Sequence, residues 1–449
     1  MIKFKGHRGA FLLVAAALTC FSPRLACALE EETASTQAAS TQAASAEAAS
    51  TQTLATETLA TTSSSQVQIT SIEDVGTGTY SRFPFHVSVS VRGGYDDNVN
   101  TSKIDKQESW FTNGSAAITY DFGSPRTQLS LQTGGGVTYY WDHLHNIGVN
   151  NDYDFNVYLS LQMVHEVSPR LTLKSTDYVT YQTEPDFTLA VGLNRRSGNF
   201  FYTQDKSTVT YLWTPRFSTA TSYTGGIVWY DDSSIGLFED RFESTFGNEF
   251  RFLLWPTTTL VAEYRFELVT YDRDINRDSM THFALGGFDH NFSSRFSASF
   301  RGGAEFRDYE AGTSDRSSPY FEGTLNYAVG KNTSVSWTNR YAIEEPDVLL
   351  NPSRTTFRTG LRAKHDFTPR ISGNLGVYYE HDDYDSVNTL TVISPSFTEE
   401  AFDAAVSVRF AVTRYLGIEA GFNHTEVWSD IFLREYSRNR YWGGLNVVF

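Results

Sequence analysis

Cysteine is nearly absent: the chain has two among 449 residues, Cys20 and Cys27, and both stand close to its start. Downstream of them a disulfide scaffold or a thiolate metal centre is excluded. Methionine is almost as scarce, with three residues. The apolar run Phe11–Leu18 is far short of the roughly 20 residues that a helix needs to cross a bilayer. Bases are outnumbered as well, 36 Lys and Arg against 52 Asp and Glu, for a net charge of −16. A nucleic-acid partner needs a basic face, so none is expected. What the chain does have is rings: 33 Phe, 25 Tyr and 8 Trp, in a sequence whose mean hydropathy is −0.34. Disordered chains are poor in aromatics. So many rings in so polar a chain call for elements that are apolar on one side and polar on the other.

The N-terminal region reads as two processing and spacing segments. Lys3, Lys5 and Arg8 precede the short apolar run, and Ala26-Cys-Ala28 offers small residues for cleavage. This predicts a signal peptide over residues 1–28 and an exported protein. Residues 29–81 repeat a five-residue unit, Ser35-Thr-Gln-Ala-Ala and Ser40-Thr-Gln-Ala-Ala among its copies, with acids but no base. A period of five fits neither helix nor strand, and the composition cannot build a core. A flexible periplasmic spacer is expected there.

From residue 82 to the end the texture is alternation. In Tyr153–Met163 the odd positions are Tyr, Phe, Val, Leu, Leu and Met, and the even ones Asp, Asn, Tyr, Ser and Gln. That is a period of two over a length that suits a tilted membrane strand of about 9–11 residues. Leu260–Val269 and Phe402–Phe410 repeat the pattern. Tight turns recur at Gly123-Ser-Pro-Arg126, Ser168-Pro-Arg170, Thr214-Pro-Arg216, Trp255-Pro-Thr257, Ser293-Ser-Arg295, Gly330-Lys-Asn332, Thr368-Pro-Arg370 and Thr413-Arg414. Longer polar, acidic loops alternate with them. Eight tight turns separate nine hairpins, so the expected fold is an all-β, transmembrane antiparallel β-barrel of 16–18 strands, about 18, in the outer membrane of a Gram-negative-type bacterium. Backbone in hydrocarbon must be fully hydrogen-bonded, which forces the sheet to close. Rings near strand ends, such as Tyr139–Trp141, Trp229-Tyr230 and Tyr378-Tyr379, are assigned to the interface girdles. Tyr441, Leu445, Val447 and the terminal Phe449 share one register, a pattern similar to the signal read by barrel-insertion machinery.

The segment Val89-Ser-Val-Arg-Gly-Gly-Tyr-Asp-Asp-Asn-Val99 resembles the start of the putative β-barrel porin 2 family. The resemblance implies an outer-membrane barrel with channel function, over about residues 83–449. Some similar barrels accompany polysaccharide secretion, which implies a second reading: a translocation barrel working with periplasmic polysaccharide-export components. A non-conducting structural barrel is a third. The first reading, passive passage of small hydrophilic solutes without cofactor, is preferred. It places the chain among outer-membrane lipid and lipopolysaccharide. No Gly-x-Ser-x-Gly, His-Glu-x-x-His or phosphate-loop motif occurs, so no enzyme is expected.

Candidate pore-lining residues fall on the polar faces: Arg241, Glu243, Glu249 and Arg251; Glu263, Arg265 and Glu267; Arg301, Glu305 and Arg307. Opposite charges across strands would stiffen the wall or orient solute. Arg354, Arg358, Arg362 and Lys364 share a face with no acid between them, which would form an anion track if unpaired. The acidic loops read mainly as solvated surface. Asp96 and Asp97, and Asp382, Asp383 and Asp385, are weak candidates for a divalent cation, because they lack the spacing of a calcium loop. His143 and His145 are weaker still.

Overall fold

The computed structural model describes residues 85–142, 152–183, 198–273, 277–310, 315–348, 351–388 and 393–449. The chain divides into two units, Met1–Thr58 and Leu59–Phe449, and every described residue lies in the second. The expected signal peptide and spacer and the His143/His145 pair lie outside the described residues.

Twenty strands follow one another: β1 (Phe85–Asp96), β2 (Ser109–Gly123), β3 (Thr127–Tyr140), β4 (Tyr153–Ser168), β5 (Leu171–Gln182), β6 (Phe200–Thr214), β7 (Phe217–Tyr230), β8 (Arg241–Trp255), β9 (Thr258–Tyr271) and β10 (Ser279–Ser293). Then come β11 (Phe296–Tyr309), β12 (Arg316–Val329), β13 (Thr333–Glu344), β14 (Arg354–Thr368), β15 (Ile371–Tyr384), β16 (Val387–Asn388), β17 (Ile393–Ser394), β18 (Phe397–Ala411), β19 (Leu416–Ser429) and β20 (Tyr436–Val448). β16 and β17 form a small ribbon inside one loop. The other eighteen make a single antiparallel sheet, each strand paired with the next, and β1 closes it by pairing with both β2 and β20. Helix α1 (Ser233–Glu239) caps the loop between β7 and β8.

Alternation decides which side chains meet lipid. On β4, Tyr153 and Phe155 stand about half exposed on the outer wall while Asp154 between them is buried inside. On β9, Leu260 and Tyr264 point out, and Val261 and Glu263 point in. The same rule corrects the expectation for adjacent rings, because neighbours in a strand cannot share a face. Tyr139, Trp141 and Trp229 lie on or near the outer surface, whereas Tyr140, Tyr230, Tyr271, Tyr309 and Tyr378 are buried on the inner side.

All eight tight turns fall where the strand ends require them. In most of them a hydroxyl holds the reversal. Thr214 Oγ1 accepts from the amides of Arg216 (3.3 Å) and Phe217 (3.1 Å), and Thr368 Oγ1 from those of Arg370 (3.2 Å) and Ile371 (3.0 Å). Ser168, Ser293 and Thr413 do the same. Proline between cap and arginine, where present, presets the turn and has no amide to leave unpaired. The Gly330-Lys-Asn turn has no such cap and reverses through Gly330 at φ +73°.

The closing seam is clamped by the segment that prompted the family resemblance. Gly94 leaves room for the Phe111 ring, since a Cβ there would lie 2.4 Å from its Cζ. Asp96 is fully buried and takes Arg438 Nη2 at 2.6 Å and Arg440 Nε at 3.1 Å from β20. Asp97 accepts from the amide (2.6 Å) and the side-chain Nδ2 (2.7 Å) of Asn439. Asn98 Nδ2 donates to the carbonyls of Ser102 (2.8 Å) and Ser437 (2.9 Å).

Candidate functional site: a charged constriction in the lumen

The inner wall departs from a plain cylinder at β12. Pro319 cannot donate to a ladder, and the pairing of β12 with β13 stops at Phe321 opposite Tyr341. Beyond it β13 stays paired with β14 as far as Glu344 opposite Arg354. The released top of the β13–β14 hairpin lies instead against the inward side chains of β9 to β11. Glu305 accepts from the Ile343 amide at 2.6 Å, and Arg307 donates to the Ile343 carbonyl (3.2 Å) and to Glu345 (2.6 Å). Tyr271 donates to Glu345 at 2.5 Å. Phe283, Leu285, Tyr320 and Ala342 pack together beneath it. Sequence reading did not anticipate this fold-in, although Pro319 in the middle of a strand pattern was its signal.

Loop residues hold the fold-in from above. Arg277 donates to the carbonyls of Phe238 and Pro346, both at 2.5 Å. Arg434, from the 3-10 turn Phe432–Arg434 between β19 and β20, grips Asp347 at 2.8 Å and Glu399 at 2.7 Å. These acids are therefore not solvated loop surface, since Asp347, Glu399, Asp382 and Glu239 are all almost completely buried. Glu239, at the end of α1, pairs with Arg241 at 2.8 Å. Burial nonetheless pushes its carboxyl up to about 7, only partly offset by Arg241 and Arg277.

Every predicted pore-lining residue lies on the inner face, and most are matched in charge. Arg241 also takes Glu243 (2.8 Å), and Arg251 takes Glu249 (2.7 Å). Arg301 binds Asp289 at 2.9 Å, with Glu249 and Glu263 at 3.7 and 3.8 Å. Arg265 bridges Glu263 and Glu322, and Thr245 donates to Glu267. The row on β14 splits. Arg354 pairs with Asp382 (2.8 Å), Glu380 (3.5 Å) and Glu344 (3.7 Å), and Arg358 with Glu380 (2.5 Å) and Glu344 (3.5 Å). These acids come from β13 and β15, which is why β14 alone reads as an unmatched row. Arg362 donates to the Tyr378 hydroxyl, and Lys364 lies lower on the same face.

Of the divalent-cation candidates, Asp96 and Asp97 hold the seam and Asp382 holds Arg354 and Thr356. Asp385 takes Arg316 and Ser353, and Asp383 lies 3.5 Å from His381. Protein donors thus occupy Asp96, Asp97, Asp382 and Asp385, whereas Asp383 is exposed. Among the described residues no three metal-ligating side chains come together.

The opposite wall differs. In the ring of eighteen, β4 lies across from β13. The inward positions of β2 to β7 are mostly hydroxyl, amide and glycine, including Asn113, Gly134, Gly136, Asn156, Ser160, Gln204 and Thr224. Lys206 on β6 is exposed there and makes no ion pair among the described residues.

The model of the family described as putative beta-barrel porin 2 matches residues 72–449. No curated protein matches the chain. Among solved structures, OpdK of Pseudomonas aeruginosa, crystallised with vanillate, is 12% identical with a TM-score of 0.42, covering 81% of this chain and 99% of that one. OccAB4 of Acinetobacter baumannii is 9% identical with a TM-score of 0.40, covering 81% and 98%. The chain belongs to the putative beta-barrel porin 2 family, as an outer-membrane, porin-like barrel of eighteen strands.

Proposed function

We propose that the barrel conducts small hydrophilic solutes passively, through a lumen narrowed on one side by the inward-folded top of the β13–β14 hairpin. The observation that carries the reading is the contrast between the two walls. One is a lattice of matched charges held by the fold-in, and the other is a mostly uncharged polar surface of hydroxyls, amides and glycines, with the bases Lys174 and Lys206 on it. Closed barrels of about 16–18 strands leave an aqueous passage. Matched charges set a strong local field without a net sign, which suits dipolar and zwitterionic solutes better than ions of one charge. In this reading the protein performs no chemistry and needs no cofactor. Export follows cleavage of residues 1–28, and barrel-assembly machinery reads Tyr441, Leu445, Val447 and Phe449 on the outer face of β20. Lipid and lipopolysaccharide surround the wall.

Planar-bilayer recording of the purified protein tests this. Ohmic, weakly selective conductance is expected, and Lys206→Glu should shift the reversal potential in a KCl gradient toward cation preference. A protein that inserts without conducting would overturn the reading.

A further inference from the structure

The tight-turn rim carries a charge pattern for which passage through the lumen has no use. Seven of the eight tight turns hold one base: Arg126, Arg170, Arg216, Arg295, Lys331, Arg370 and Arg414. Only Trp255-Pro-Thr257 lacks one, and no acid stands in any of the eight. All seven bases are exposed, and none forms an ion pair among the described residues. Turn chemistry does not require them. The reversal is held by hydroxyl caps or by Gly330, and the base persists while the turn changes from Ser-Pro-Arg to Ser-Ser-Arg to Gly-Lys-Asn. Such a ring is unexpected in a chain with a net charge of −16.

Depth identifies the occupant. Exposed rings cluster at the same rim, with Trp213, Trp255, Phe292 and Phe367 each more than half exposed. Aromatic girdles sit at headgroup level. Bases a few residues beyond them stand at the depth of the phosphates, and the Arg414 guanidinium lies over the Tyr415 ring at 4.6 Å.

We propose that the turn rim is a binding ring for anionic phospholipid headgroups of the leaflet on that side, which for an outer-membrane barrel is the periplasmic one. The bases are spread one per hairpin around the rim rather than gathered in a pocket. Each therefore meets a different phosphate, a distribution that fits a lipid annulus and not one soluble anion. Guanidinium groups bind phosphate oxygens through paired donors, and six of the seven bases are arginine.

Spin-labelled lipids in phosphatidylcholine vesicles containing the full chain provide the test. Labelled phosphatidylglycerol should be motionally restricted in preference to labelled phosphatidylcholine by about fivefold, the size of one base–headgroup contact. The preference should fall toward unity in about 0.5 M KCl. Replacing all seven bases with Gln should abolish it, and replacing the six arginines with Lys should keep most of it. Should the sevenfold variant fail to assemble, R170Q/R216Q/R370Q should lose roughly half of the excess restriction. Equal restriction of the two lipids by the unaltered protein, or a preference undiminished by the Gln substitutions, would overturn the assignment.

Discussion

Arg358 sits between Glu380 and Glu344 on the inner wall and is largely shielded from water, so its value is that of a charge whose removal strands two others. Arg358→Gln should cost about 3 kcal/mol in urea unfolding of the reconstituted barrel, the range for breaking one side of a buried pair. The double variant with Glu380→Gln should recover part of that loss. Glu239 has the opposite sensitivity. Its carboxyl, raised by burial from an ordinary 4.5 to about 7, favours the folded cap when protonated. The cap should therefore be tightest below pH 4.5 and loosen as pH rises through about 7. Hydrogen exchange over residues 233–240, corrected for intrinsic rates, should show this trend, and Glu239→Gln should flatten it. At this scale the sequence told only part of the story. Period two placed Arg354 and Arg358 on the inner face, but their partners lie on other strands, and no local spacing reveals a contact made across the sheet.

Among the elements, the tight turns were the most legible, because proline, glycine and hydroxyl caps act within four residues. The fold-in of β13 was not, although Pro319 marks where its ladder must end. β5 and β6 show a further departure from pattern. Asp177 and Asp205 face each other across that pair, on the outer positions shared with Val179 and Val209. Ser175 and Ser207 lie beside them, and Ser175 donates to Asp177 at 3.1 Å. Carboxylates on a lipid-facing wall are destabilising, though less so than bases. Asp177→Leu with Asp205→Leu should raise the folding stability in vesicles by about 1–2 kcal/mol. A loss of stability instead would mean that the pair is shielded from lipid.

For the molecule as a whole, strand count and closure were readable from the tight turns and the alternation, since a barrel repeats one rule eighteen times, whereas the rings assigned to the girdles proved to be divided between the outer and inner walls. What could not be read was the state of the acids. Their net excess suggested a solvated rim, whereas much of it is spent on internal pairs that tie loops together. Assembly provides the test at this scale. Removing Phe449 deletes the outermost ring of β20 and its backbone bonds with Val87. The heat-shiftable, folded fraction in membranes should fall severalfold, with unassembled chain accumulating in soluble form. An unchanged folded fraction would count against the insertion signal.

The seam clamp has a consequence in time. Asp96 and Arg438 are 342 residues apart, so almost the whole barrel must exist before they can meet. Closing so long a loop is entropically costly and slow. Each hairpin can form with its neighbour as the chain is delivered, but the first strand keeps an open edge, with Asp96 and Asp97 unmatched, until the last strand arrives. Asp96 and Asp97 make that waiting edge a poor template for the wrong strand, because only one carrying arginines and an asparagine at the right heights can satisfy it. The clamp thus selects the partner that completes the circle, and a half-made barrel is discouraged from joining another copy.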